Sequence, residues 1–251
     1  MPLTLCIDIG GTHLKASIVD RDGKMVCERA EIRTPYPASP QRLLQGVQTL
    51  AASLPAYDRI SAGFPGVVRG GRILTAPNLG TELWRDFDLA GELTARLKRV
   101  ARVLNDAEVQ GLGAISGNGL ECVLTLGTGV GSAVFRDGRL APHLELGQHP
   151  VWKKKTYDQY LGEAALSAKG QKKWNARLER ALGFVATLLN YDTLYIGGGN
   201  ASKVTLKLPT TIKLVSNDDG ITGGVRLWDS RFDECFADTR EPKVVKEVSR
   251  R

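Results

Sequence analysis

One pattern occurs twice in this chain and limits its fold more than any other feature. Residues 5–25 read LCIDIGGTHLKASIVDRDGKM and residues 122–140 read CVLTLGTGVGSAVFRDGRL. In both, an apolar strand runs into Gly and Thr, a second apolar strand follows, and an Asp-Gly turn closes it. A repeated strand–turn–strand unit predicts two related lobes built on duplicated supersecondary structure. With 251 residues the chain is long enough to give such a pair a sizeable core.

The intervening sequence reads as alternating strands and helices. Strands are expected at 3–9 and 14–19, with a third after Asp22-Gly23. Ser39-Pro40 opens a helix whose apolar face carries Leu43, Leu44, Val47, Leu50, Ala51 and Leu54. RISAGFPGVV is a strand running into a turn, and Asp88 caps a helix bearing Leu89, Leu93 and Leu97. RVARVLNDAE is a buried strand ending at Asn105-Asp106, with a helix after it. Two helical stretches, 156–169 and 171–190, precede the strand TLYIGGGNAS. The expected division is a lobe at 1–112, a second at 113–228, and a polar C-terminal appendage at 229–251.

Composition narrows the class. Hydrophobic residues make up 42 % and charged residues 24 %, as in soluble globular proteins. Asp8 interrupts the first apolar run, and no other run is long enough to span a bilayer, so neither a signal peptide nor a membrane partner is expected. Cys6, Cys27, Cys122 and Cys235 lack paired spacing, which argues against a zinc site or a disulfide framework and for a cytoplasmic location. The net charge of +7 suits an anionic partner, although a solvated basic surface accounts for it as well. Aromatic residues are only 6 % and no base-reading motif is present, so a nucleotide or polyphosphate is expected rather than nucleic acid.

Three strand ends carry glycine clusters: Gly10-Gly11-Thr12, Gly127-Thr128-Gly129 and Gly197-Gly198-Gly199. One such cluster is weak evidence, because two glycines between apolar runs also make an ordinary hairpin. Two on matching halves of a repeat are expected to clamp a phosphate chain from opposite sides, with backbone N–H groups and threonine hydroxyls. The third lets a flat base and ribose lie against backbone that a side chain would block. Asp8 then either holds Mg²⁺ through water or is a solvated edge residue. Asn105-Asp106 is either a helix cap or a site for proton transfer.

The motifs CIDIGGTHLKA, SAGFPGVV, APNL…W, LNDAE, LTLGTGVGSAV, LELGQH and YIGGGNA stand in one order from residue 5 to about residue 228. In that order they resemble the ROK-family sugar kinases, and among them the polyphosphate glucokinases and their small relatives. The resemblance implies an α/β, two-lobed ribonuclease-H-like (actin-like ATPase) fold with a duplicated β-β-β-α-β-α core and an interlobe cleft. It implies phosphoryl transfer from ATP or polyphosphate, with Mg²⁺, to a hexose hydroxyl, foremost the 6-hydroxyl of glucose. Asp106 would be the catalytic carboxylate and Asp8 would hold Mg²⁺ through water. Gly10, Gly11, Thr12, Lys15, Gly127, Thr128 and Gly129 would hold the phosphates, with Gly197, Gly198, Gly199 and Asn200 at the nucleotide. Asn78, Asn105 and Glu145 would bind hexose hydroxyls. Glu163 is either a further sugar carboxylate or an exposed helix residue. A homodimer is implied by the resemblance alone.

The chain departs from the family pattern in three places. Glu-x-Gly-His appears as Glu145-Leu146-Gly147-Gln148, with His149 one place later, so either Gln148 or His149 is expected to replace the imidazole. The segment PVWKKKTYDQYLG has no cysteine where many members carry a zinc segment, so no structural zinc is expected. The first strand begins at residue 3, with no counterpart of the helix-turn-helix of the family's repressors. His13 and His143 are read as local turn or surface residues without a role. Lys153-Lys154-Lys155 and Lys172-Lys173 are either a solvated face or a track for a long anion. Two other readings stand beside the kinase: a catalytically weakened sugar or nucleotide sensor, and an ATPase of the same fold acting on a non-sugar acceptor.

Overall fold

The computed structural model describes residues 1–216 and 219–236. The first lobe begins with β1 (Thr4–Ile9), β2 (His13–Val19), β3 (Ala30–Arg33), α1 (Pro40–Ala52) and β4 (Arg59–Phe64). The short β5 (Val68–Arg69) and β6 (Arg72–Ile73), with α2 (Thr81–Trp84) and β7 (Phe87–Asp88), form a small three-stranded sheet and its connection. Then come α3 (Leu89–Leu97), β8 (Ala101–Asn105) and α4 (Asp106–Ala114). The second lobe holds β9 (Leu120–Leu126), β10 (Val130–Arg136), β11 (Arg139–Leu140), the hairpin β12 (Pro150–Trp152) and β13 (Lys155–Thr156), α5 (Tyr157–Leu161) and α6 (Glu163–Leu189). β14 (Thr193–Gly197), β15 (Ile212–Leu214), α7 (Asp219–Thr222) and α8 (Asp233–Phe236) complete it.

The duplication expected from sequence is present in the topology. The first sheet has the order β3-β2-β1-β4-β8 and the second β11-β10-β9-β14-β15. In each, three antiparallel strands are joined to two parallel ones. Parallel strands need crossover helices, so the C-terminal ends of β1, β4 and β8 in one lobe, and of β9 and β14 in the other, open on one side of each sheet.

Each lobe has its own core, and a third cluster joins them. Leu5, Ile7, Ile9, Leu14, Ile18, Leu43, Leu44, Val47 and Trp84 are buried in the first. Trp84 donates its indole N–H to the Ala38 carbonyl at 2.9 Å, which satisfies the one polar atom that its burial hides. Trp174 of α6 does the same to Leu161 in the second lobe, at 2.7 Å. Leu104, Val109, Leu112, Val123, Phe135, Tyr195, Leu227 and Phe232 form the joining cluster around α4. Six consecutive residues of α4, Ala107 to Leu112, are buried, so this helix presents no solvent face along that stretch.

At the C-terminal side one expectation holds and one changes. The long helix breaks at Gly170, whose φ of 72° lies outside the helical region, in agreement with separate helical stretches on either side of that residue. Residues 229–236, expected within a polar appendage, are packed instead. Phe232 is buried beside Leu227, Trp228 donates its indole N–H to Ser61 Oγ at 2.9 Å, and Arg102 lies over the rings of Trp228 and Phe236 while pairing with Asp233 at 2.8 Å. The polar composition hid Phe232, Cys235 and Phe236, which belong to the cluster around α4. The rest of the expected appendage, 237–251, lies outside the described residues. Among the described residues no helix is long and apolar enough to cross a membrane.

The close seat of α4 gives a paired prediction. A Cβ at Gly111 would clash with the ring edge of Phe135, whereas one at Gly183 on α6 meets open space. Gly111→Ala is expected to destabilise the protein by about 1–3 kcal/mol. Gly183→Ala is expected to stabilise it by roughly 0.5–1 kcal/mol. Denaturant titration of both variants checks the signs, and equal effects would show that α4 is not wedged between the sheets.

Candidate functional site

The strand register puts the first carboxylate at a sheet tip. Asp8 pairs with Lys15 across β2 and with Gly63 across β4. Its Oδ2 lies 3.8 Å from Lys15 Nζ. Burial raises the Asp8 pKa above the usual carboxylate value, against the opposing pull of Lys15 and Arg29.

A second carboxylate stands where β8 becomes α4. Asn105 is the N-cap and forms a capping box with Glu108, whose Oε2 takes the Asn105 N–H at 3.1 Å. The Asn105 amide donates to the carbonyls of Phe64 and Gly66 and accepts from the N–H groups of Ala107 and Glu108. The cap and the candidate site are therefore one structure: the amide locks the turn, and the next residue, Asp106, is left at the cleft. Asp106 Oδ1 accepts the Ala107 N–H at 2.8 Å. Burial and the negative charge of Asp8 push the Asp106 pKa up to about 7 against the lowering pull of that hydrogen bond, and Glu145 and Glu108 add smaller upward contributions.

The glycine turns of the two repeats face each other. Thr12 Oγ and Thr128 Oγ are 3.3 Å apart across the cleft, although 116 residues separate them. The second turn is braced from below. Asp158 Oδ1 accepts the Val130 N–H at 2.6 Å, and the Glu163 N–H reaches the Gly127 carbonyl at 2.9 Å. Asn200 ties in the third turn, donating to the Gly127 carbonyl at 3.3 Å. Gly198 has a φ of +84°, and a Cβ there would lie 2.5 Å from the Leu126 carbonyl, so only glycine lets β14 approach β9 this closely at its end.

These parts enclose a cleft of about 430 Å³ between the lobes. Of the residues expected there, Asp8, Gly10, Gly11, Thr12, Lys15, Asn78, Asn105, Asp106, Gly127, Thr128, Gly129, Glu145, Glu163, Gly198, Gly199 and Asn200 line it. Three do not. Gly197 ends β14 beneath the Gln110 side chain. Gln148 and His149 are exposed beyond the cleft, and Gln148 donates to Asp158 Oδ2 at 2.7 Å. The short helical turn at Leu146–Gln148 carries both side chains off the wall that Glu145 lines. The imidazole at this wall is instead His143, read from sequence as a surface residue: its side chain is 13 % exposed and lies between Glu108 and Glu145. Asp158 and Gln110 also line the cleft without having been expected there. Gln110 lies within α4 and Asp158 within α5, and only packing brings them in. The lysines at 153–155 and 172–173 are exposed and outside the lining.

The electrostatics of the cleft are unusual for an anion site. Asp8, Asp106, Glu145, Asp158 and Glu163 line it, against Lys15 as its one lysine. A polyphosphate chain entering beside these carboxylates needs a counter-cation. Among the described residues no group of three or more His, Cys, Asp or Glu forms a cage for a metal. A lone carboxylate such as Asp8, with water and phosphate oxygens supplying the other ligands, fits the hard, mostly hydrated Mg²⁺ rather than a metal that needs an all-protein site.

Similarity to known proteins agrees with this geometry. Residues 4–145 match the family model described as ROK family. The chain is 32 % identical over 216 residues to the polyphosphate glucokinase of Mycobacterium tuberculosis (strain H37Rv), a match covering 81 % of this chain and 80 % of that protein. It is also 32 % identical over 216 residues to the polyphosphate glucokinase of Mycobacterium leprae (strain TN), of which the match covers 65 %. The crystal structure of an inorganic polyphosphate/ATP-glucomannokinase from Arthrobacter sp. strain KM superposes with a TM-score of 0.82 at 30 % identity, covering 90 % of this chain and 98 % of that one. With its duplicated sheets, its interlobe cleft and this extent of matching sequence, the chain belongs to the ROK family and has that family's actin-like ATPase fold.

Proposed function

We propose that this protein is a sugar kinase that transfers a phosphoryl group from ATP or polyphosphate to a hexose hydroxyl, with the 6-hydroxyl of glucose as the favoured acceptor. The observation that carries the reading is the meeting of Thr12 and Thr128 at 3.3 Å over a cleft whose floor holds Asp106. The names of the similar proteins support both donors and a hexose acceptor.

In this reading the two threonine turns and Lys15 hold the phosphates, and Asn78 and Glu145 pair with sugar hydroxyls. Asn105 acts through its cap, which fixes the direction of Asp106. Gly198, Gly199 and Asn200 leave a flat surface for a nucleotide base. Asp8 would hold Mg²⁺, which when bound would supply positive charge to the transferring phosphate. Asp106 accepts the proton of the attacking hydroxyl as the new O–P bond forms. A raised pKa suits this role, because a base is most useful when its pKa lies near the working pH. Asp8 and Glu145 thus tune Asp106 as well as binding their own ligands. Lobe closure excludes water, which otherwise competes with the sugar as acceptor.

The test is a matrix of hexoses against ATP, GTP and polyphosphate, run for the native protein and Asp106→Asn. The variant is expected to bind glucose with unchanged affinity and to lose about 10²–10⁴-fold in kcat. Sugar binding without turnover by the native protein would establish a sensor, and turnover that needs a non-sugar acceptor would establish the third reading. For the native enzyme, kcat/KM is expected to fall as pH drops below about 7, where Asp106 takes up its proton. Removal of Mg²⁺ by a chelator is expected to abolish turnover and weaken ATP binding, since the carboxylates then face the phosphates unscreened; ATP titration with and without chelator checks this.

Asp106 also makes a stability prediction. Its pKa is higher in the folded protein than its ordinary 3.8, so the fold holds a proton that the unfolded chain releases. Stability from this group is greatest below about pH 4 and declines as pH rises towards 7. Asp106→Asn removes the cost, so the variant is expected to be more stable than the native protein at pH 8, by about 1–4 kcal/mol, with the gap closing towards pH 4. Melting curves across that range would contradict the assignment if the gap were constant.

A further inference from the structure

His143 sits behind the cleft wall with a carboxylate on each side. Its Nδ1 is 2.8 Å from Glu108 Oε1, and its Nε2 faces Glu145 Oε2 at 3.6 Å. The Glu108 side chain is 4 % exposed, and its other oxygen takes the Asn105 N–H. His143 Nε2 and Glu145 Oε2 are both buried and neither has a hydrogen-bond partner. A neutral imidazole has one N–H and one lone pair, and here the lone pair would point at a carboxylate whichever nitrogen bore the proton. Only the imidazolium, which donates from both nitrogens, suits two acceptors. The gap of 3.6 Å is just too long for a hydrogen bond, so a small inward shift of Glu145 would satisfy both orphaned atoms.

We propose that His143 is a positioning residue for the hexose site: as an imidazolium it bridges Glu108, under the Asn105–Asp106 turn, to Glu145 on the cleft wall. It thereby holds one Glu145 oxygen inside the protein and leaves the other for a sugar hydroxyl. The proposal rests on the kinase reading of the cleft. It makes a single hydrogen-bonded line from the N–H of the helix cap, through Glu108 and His143, to Glu145, so that sugar binding and base placement share one support. The groups around this line are Asp106 beside Glu108, Cys235 of α8 beside Glu108, and Asp158 of α5 beside Glu145. The ionisable neighbours are thus acids, and none competes with His143 as the cation. Burial alone would lower the pKa of His143, but its contacts with Glu108 and Glu145 outweigh burial and lift it to about 9.

The test measures D-glucose affinity by calorimetry from pH 6 to 10 for the native protein, His143→Gln and Glu145→Gln, with kcat and KM beside it. For His143→Gln the expected result is a glucose affinity weaker by about ten- to a hundredfold, a KM raised by a similar factor, and a small change in kcat. Native affinity is expected to hold to near pH 9 and weaken above it, and the variant is expected to lack that step. A purely structural role would lower the melting temperature without flattening the pH profile. Nitrogen NMR of the native protein needs no variant: both imidazole nitrogens are expected to stay protonated to near pH 9. Loss of the proton near the ordinary 6.5, or unchanged glucose affinity and pH profile in His143→Gln, overturns the proposal while leaving native turnover, and the kinase reading, intact. If the native protein neither binds nor phosphorylates a hexose, the kinase reading fails and this inference falls with it.

Discussion

The seat of α4 between the two sheets is the constraint on which the rest of the structure depends. Its six consecutive buried residues touch both lobes, and Phe135 of the second sheet packs where Gly111 has no side chain. Because the helix is held on all sides, its first residue is held as well. That residue is Asp106, and the Asn105 cap fixes the turn just before it. A carboxylate aimed by a buried helix and a saturated cap is held in one direction before any ligand arrives. The C-terminal segment through Phe236 braces the same helix from the far side, which explains why residues that look dispensable in composition are packed.

Charge is the second organising element. Burial, with the charge of neighbouring carboxylates, makes Asp8, Asp106 and Asp158 costly to ionise in this cleft. Such an arrangement is unfavourable for stability. It becomes useful when a cation and a base with a pKa near neutrality are both wanted in one place. Behind the wall His143 lies between a buried acid under the cap, Glu108, and a wall acid, Glu145.

Legibility from sequence was uneven for physical reasons. The duplicated strands, the three glycine turns and the Asn105-Asp106 strand end were readable because local backbone geometry demands those residue types at that spacing. Gly197 was included with its neighbours because all three glycines look alike in a string; φ and the position of Gln110 separate them. Gln148 and His149 were read as candidates for an imidazole position by register along the chain. The tight turn over Leu146–Gln148 rotates them outward, while His143, two residues before Glu145, turns inward. Asp158 and Gln110 had no local signal, since each reaches the cleft from a helix side whose neighbours are core or solvent.

The sequence by itself determined the two lobes, the strand–turn–strand units and the identity of the acid at each strand tip. These follow from apolar strand runs bounded by turn residues, from glycine's freedom of φ and from capping preferences, all of which act within a few residues. Only the tertiary structure decided that Thr12 and Thr128 meet, which side chains face the cleft, and that His143 lies between two acids. Those outcomes depend on how one lobe is set against the other, and that is settled by long-range packing around α4, where no local pattern carries the information.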